Sequence, residues 1–254
     1  MDWNNNTLKR YMEAGLAALI VLTLGLAGAT GVLSPRAAES EQTEAAVEED
    51  STKAGEENEN KDAATNPDTE ETQETIADGQ YPIMGSSDVT VQEMVDYFNA
   101  SGEVYPAEEL SEGGADSIET FCQMYYDEAT AEGVRPEVAF AQTMKETGFL
   151  QYGGDASIEQ FNFAGLGTTG NGVPGNSYPD VQTGIRAQIQ HLKAYATSDS
   201  LNQECVDDRY EYVKKGSAPY VQWLGQQENP EGLGWATGDN YGYDIVGMIE
   251  DMME

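Results

Sequence analysis

Pro136-Glu137-Val138-Ala139-Phe140-Ala141-Gln142-Thr143-Met144-Lys145-Glu146-Thr147-Gly148 reads as one largely apolar helix with a carboxylate near its C-terminal end. Proline suits the first turn of a helix, where its missing N–H has no intrahelical partner, and glycine suits the left-handed residue that closes one. The spacing therefore predicts a helix over Pro136 to Thr147 that stops at Gly148.

Further helices follow on both sides. Val91, Met94, Val95 and Phe98 recur at helical spacing from about Thr90. Ile118, Phe121, Cys122 and Tyr125 form a second stripe, with Asp116 or Ser117 placed to cap it and Gly133 to close it. Val181, Ile185, Ile189, Leu192 and Ala196 share one face of a helix over Val181 to Ala196, and a last helix is predicted near Tyr243 to Met252. From Phe149 to Pro179 the chain shows no helical period, only Gly, Thr and Asn with scattered aromatics, which predicts loop and short strand and a place to build a cleft. The fold class expected is α+β, mostly helical, with one small irregular or β lobe.

The N-terminal third is of another kind. Lys9 and Arg10 precede an uncharged apolar run, Ala14 to Leu33. At 1.5 Å per residue a helix of that length just crosses a hydrocarbon core of roughly 30 Å, and the flanking charges set its N-terminus inside. A single-span membrane anchor over residues 1–35 is expected. The competing reading is a signal peptide cleaved near Ala27, Ala29 or Ala37-Ala38, which also exports the domain. Between Arg36 and Gln80 there are 15 acidic and 3 basic side chains and no aromatic residue. Such a composition cannot bury enough apolar surface to offset the entropy of ordering it, so residues 36–85 are expected to be a disordered, extended linker. One globular domain, 86–254, remains.

The formal charge of -34, with only 12 Lys and Arg in 254 residues, excludes nucleic acid as a partner, since binding phosphates needs clustered cations. A glycan partner would have to be held by stacking and hydrogen bonds. Cys122 and Cys205 fit neither a metal-ligand spacing nor a redox pair; a disulfide between them and two separate thiols are both open. His191 is the one histidine, and a lone His builds neither a metal site nor a triad. It is expected at the rim of its helix's apolar face in a structural or exposed role. No metal and no organic cofactor are expected.

Chemistry concentrates at Glu146. Burial among apolar neighbours and the negative end of the helix dipole both disfavour its charged form, and Phe149 is placed to exclude water. A Glu kept protonated near neutral pH is what a glycosidase needs to protonate a departing sugar oxygen.

Four segments in order, EVAFAQTMKETGFLQYGG (137–154), QFNFAGLGTTG (160–170), YPDVQTGIRAQIQHLKAYA (178–196) and WATGDNYGYDIVGMI (235–249), resemble the endo-β-N-acetylglucosaminidase domain of glycoside hydrolase family 73, in particular its exported Gram-positive members. The resemblance runs from about Thr90 to the C-terminus. It implies a lysozyme-like fold and hydrolysis of the β-1,4 bond from N-acetylglucosamine to N-acetylmuramic acid in peptidoglycan glycan strands, by a monomer held to the membrane through its N-terminal helix. The family's Ala-Gln-x-x-x-Glu-Thr-Gly pattern is intact and puts the general acid on Glu146. Its Asn-Asn-x-Phe-Gly segment falls on Phe161 to Gly165, keeping Asn162 but replacing the usual Phe by Ala164. Asn162 and Phe163 are thereby implied in substrate binding, as is Tyr241 in the segment like Tyr-Ala-Thr-Asp-x-x-Tyr. Trp235 and Tyr243 beside it are expected to pack the last helix.

The second carboxylate is open. Asp180 stands at the distance of the family's second acidic residue, yet directly before a helix, where Asp is a preferred N-cap. Asp155 and Glu159 are alternatives. Also open are the inverting, covalent and N-acetyl-assisted routes, a muramidase or lytic transglycosylase on the same fold, and an inactive wall-binding module.

Overall fold

A computed structural model of the protein describes residues 79–170 and 172–254. The apolar run at Ala14 to Leu33 and the bulk of the acidic linker lie outside the described residues. Among the described residues no helix is long and apolar enough to cross a membrane.

Among the described residues six α-helices form the body: α1 (Val91–Ala100), α2 (Ala107–Ser111), α3 (Ile118–Glu132), α4 (Pro136–Thr147), α5 (Val181–Ala196) and α6 (Tyr241–Met252). Their ends follow local chemistry. Thr90 and Glu93 close a capping box on α1, the Thr90 hydroxyl accepting from the Glu93 N–H at 3.2 Å and the Glu93 carboxylate from the Thr90 N–H at 2.7 Å. Ser117 caps α3 and left-handed Gly133 ends it, while Pro136 opens α4 and left-handed Gly148 closes it. The short α2 lies in what reads as a break; Pro106 precedes it, and Glu108 and Glu109 complement the positive end of its dipole. Helix α6 starts two residues ahead of its predicted start, after left-handed Asn240, whose carbonyl accepts from the Asp244 N–H at 2.8 Å. Tyr241 is thereby drawn into the first turn.

Helix α3 packs on α1 and α5, and α4 packs on α3, α5 and α6. Between them Phe121, Tyr125, Phe140 and Phe163 meet mostly edge to face at 5.1 to 6.5 Å between ring centres. Such pairs add to the area they bury.

The irregular lobe holds less β structure than its reading suggests. Among the described residues there are only isolated bridges, and the lobe has one, Gly170 with Val173. Six of its glycines and four other residues, Phe149, Leu150, Tyr152 and Phe161, have positive φ, and a chain that turns this often cannot run as a strand. The lobe is fastened to the body by close approach: a Cβ on Gly184 of α5 would lie 1.8 Å from the Phe161 carbonyl oxygen.

Packed residues already lie ahead of the boundary expected at residue 85. Pro82 bridges Tyr220, Met84 bridges Val134, and Ile83 is fully buried. The acidic composition ends at Asp78, and the apolar residues that follow find partners at once. The cysteines are separate thiols, Cys122 buried and Cys205 exposed.

Candidate active site

Glu146 sits in the last turn of α4, partly buried, and burial pushes its pKa from the ordinary 4.5 up to about 7 against the opposing effects of the Tyr241 hydrogen bond and the Lys145 charge. Tyr241, 1% exposed at the start of α6, donates its hydroxyl to Glu146 Oε1. Gln142, one turn earlier on α4, donates from Nε2 to the Tyr241 oxygen at 3.0 Å. Burial, and then the neighbouring Glu146, raise the Tyr241 phenol well above its usual range, so it stays a donor.

Lys145, adjacent in sequence, is turned away from a direct pair with Glu146. Its Nζ lies 2.8 Å from Asp244 Oδ2 and 5.5 Å from the centre of the Tyr241 ring. Two charges thus flank the site as a closed pair, and no hydrogen bond or ion pair joins Glu146 to a cation among the described residues.

The turn that follows is built by Thr147 and strained. Thr147 donates its hydroxyl to the Thr143 carbonyl at 2.7 Å and accepts from the Leu150 N–H at 2.9 Å. Gly148, Phe149 and Leu150 are left-handed in succession, which two non-glycine residues hold only because packing over-determines them. Phe149 does not wall Glu146; it is turned into the core against Tyr97 and Phe98, at 5.7 and 6.4 Å between centres. Desolvation of Glu146 comes from the helix packing instead.

The other expected site residues separate by place. Asp180 caps α5, its Oδ1 accepting from the Thr183 N–H at 2.7 Å, and nothing among the described residues joins it to Glu146. Glu159 is exposed and Asp155 partly so. Asn162 is 1% exposed and uses its whole amide on the lobe: Nδ2 donates to the Leu166 and Asn176 carbonyls at 2.8 and 3.1 Å, and Oδ1 accepts from the Leu166 N–H at 2.9 Å. Phe163 is fully buried against Phe121 and Tyr125. Asn162 thus braces the lobe from inside, and Phe163 anchors it in the core. Ala164, also buried, fills a place where a Phe would need more room.

His191 is structural, though buried more fully than a rim position suggests. Its Nδ1 lies 2.7 Å from Asp207 Oδ2, and its ring meets Trp235 edge to face at 4.8 Å. Trp235 packs as expected, whereas Tyr243 is 54% exposed on the outer side of α6 and packs nothing into the core. A cavity is lined by Leu166, His191, Tyr195, Tyr212 and Trp235 among others, and neither Glu146 nor Tyr241 lines it.

Sequence reading pairs no residue with Tyr241. The available signal was a polar residue inside an apolar stripe: Gln188 falls on the face of Ile185 and Leu192, and Gln142 is fully buried in the middle of α4.

A mostly helical domain with little strand is consistent with a lysozyme-like fold. The sequence model of the mannosyl-glycoprotein endo-beta-N-acetylglucosaminidase family, the glucosaminidases, matches residues 122–254. The chain belongs to this family. The match covers more than half of the chain and begins within α3, later than the resemblance expected from Thr90. The chain is also 44% identical over 104 residues to an uncharacterized protein of Borreliella burgdorferi, covering 41% of this chain and 51% of that one. It thus spans about half the length of the curated relative it matches. No solved structure gives a significant match.

Proposed function

We propose that the protein hydrolyses peptidoglycan glycan strands at the β-1,4 bond between N-acetylglucosamine and N-acetylmuramic acid, with Glu146 as general acid. The observation that carries this is the partly buried Glu146 carboxyl, raised to about 7 and touched by a phenol rather than a cation. Protonated Glu146 gives its proton to the bridging oxygen as the bond to the glucosamine C1 breaks. Water then adds to C1, and its released proton restores Glu146. Tyr241 steadies the carboxylate between these events.

Asp180 acts as a helix cap in this scheme. The catalytic domain works outside the cell, held by the apolar run at Ala14 to Leu33, and reaches the wall over its acidic linker. Aromatic and hydrogen-bonding groups hold the glycan, because a chain of formal charge -34 repels anionic wall polymers.

The test is incubation of the protein and its Glu146→Gln variant with purified sacculi, followed by mass analysis. The expected products carry reducing N-acetylglucosamine ends, and Glu146→Gln slows their release by at least roughly 10²-fold. A folded variant that releases them at the original rate would remove Glu146 from its role. Reducing muramic ends would mean a muramidase, anhydro-muramic ends a transglycosylase, and binding without turnover by the intact protein a wall-binding module.

A further inference from the structure

Behind Tyr241 a chain of polar side chains runs through the otherwise apolar core. Gln142, Thr143 and Gln188 are each 0% exposed, on α4 and α5. Gln188 donates from Nε2 both to the Ala139 carbonyl at 3.0 Å and to Gln142 Oε1 at 2.9 Å. The Tyr125 and Thr143 hydroxyls lie 2.8 and 2.9 Å from its Oε1 and 2.6 Å from each other, so one donates to Gln188 and the other closes the triangle. Gln142 passes the sense on, Nε2 to the Tyr241 oxygen, and Tyr241 passes it to Glu146. Buried polar networks are costly unless every member is satisfied, and this one is.

The sense of the chain follows from its fixed end. A backbone carbonyl only accepts, so Ala139 O forces the Gln188 NH₂ toward it and toward Gln142. Were the Gln142 amide flipped, two NH₂ groups would face each other. Gln142 must therefore present its oxygen to Gln188 and its NH₂ to Tyr241. With a donor already aimed at its oxygen, the Tyr241 hydroxyl has one remaining acceptor, Glu146 Oε1.

We propose that Gln188 and Gln142 are positioning residues that lock the Tyr241 proton onto Glu146 Oε1 and so reserve Glu146 Oε2 as the one oxygen that carries and returns the transferable proton. This rests on Glu146 being the general acid. In a protonated carboxyl the carbonyl oxygen is the stronger acceptor, so a phenol proton held on Oε1 favours the tautomer with the acidic proton on Oε2. Polarised by Gln142, the phenol is also a stronger donor to the carboxylate left after transfer. The titratable and charged groups around the pair are Lys145 on α4, Asp244 on α6, Tyr195 on α5, which bears on Tyr241, and Tyr125 on α3 at the far end of the chain.

The test is a double-mutant cycle in the full chain, read as kcat on sacculi across pH, with folding checked by circular dichroism. Gln142→Leu is expected to lower kcat roughly tenfold, the worth of about one hydrogen bond. It should also move the alkaline limb to higher pH, because a weaker donor stabilises the Glu146 carboxylate less. In a Tyr241→Phe background the same substitution should change neither quantity, since Gln142 acts only through the phenol.

Gln142→Glu keeps the shape and reverses the polarity, so the phenol turns to residue 142; its loss should equal or exceed that of Gln142→Leu. Should Gln142→Leu fail to fold, Gln142→Glu and the near-isosteric Gln188→Met carry the same cycle. Equal losses in the wild-type and Tyr241→Phe backgrounds, or an alkaline limb that stays in place, overturn the relay. A fully active Glu146→Gln would instead overturn the general-acid reading, so the two failures are distinct.

Discussion

Glu128 and Glu132 on α3 and Glu146 at the end of α4 are held in opposite ways. On α3, Glu128 receives Arg186 through two hydrogen bonds of 2.8 Å, and Gln182 and Gln203 as well. Burial pushes its pKa up, but these donors outweigh it and the net shift is downward. Glu132, fully buried, meets Lys193 at 2.9 Å and the N–H groups of Asn202 and Gln203 at 2.9 and 3.1 Å. At the end of α4, Glu146 meets a neutral phenol, while the cation next to it is held by Asp244. Where a carboxylate staples helices together the fold supplies counter-charge, and at Glu146 it withholds one.

The largest effect comes from breaking the stapled side. Lys193→Met leaves Glu132 buried without its cation, which costs about 3–5 kcal/mol and shows as a lower midpoint in thermal or urea denaturation. Glu146 is predicted to answer in the opposite direction. Its pKa is raised in the fold, so its contribution to stability is whole below its ordinary 4.5 and is lost as pH rises toward about 7. Glu146→Gln removes that loss. Denaturation at pH 8 should find the variant more stable than the parent by ~2 kcal/mol, and at pH 4 the gap should close. An equal gap at both values would mean that the carboxyl is not held neutral by the fold.

Smaller changes sharpen the contrast. Asp244→Asn frees Lys145 to act on Glu146, favours its charged form and moves the alkaline limb of kcat to lower pH, a shift measurable on sacculi. Asp180→Asn tests the remaining carboxylate most gently. Asn caps a helix about as well as Asp, so stability should change by only a few tenths of a kcal/mol and turnover should persist. Loss of turnover with an intact melting curve would make Asp180 the second catalytic group.

The legible parts of the molecule were those governed by neighbours in sequence. Helices α3, α4 and α5 end where Ser117, Gly133, Pro136, Gly148 and Asp180 say they should, because caps and left-handed closures act within one turn. Glu146 was legible for the same reason: its helix end, its apolar company and its motif are all local. Gln188 donating to Gln142 and Gln142 to Tyr241 joins residues 46 and 99 positions apart, and no periodicity carries such a pairing. Asn162 and Phe163 lie in a lobe whose direction is set by turns, and only three-dimensional packing shows that both side chains point inward.

The clasp at Tyr81 to Met84 has a mechanical consequence. Its Ile83 N–H reaches the Pro219 carbonyl at 3.0 Å, its Tyr81 carbonyl receives the Val221 N–H at 2.8 Å, and its Ile83 carbonyl receives the Arg135 N–H at 2.9 Å. Tension applied upstream of Gly79 therefore falls on several backbone hydrogen bonds rather than one. It arrives at Arg135, beside the first turn of α4, a helix length of roughly 16 Å from the turn that ends at Gly148. A molecule pulled from that side would load the N-terminal end of α4 before its C-terminal end.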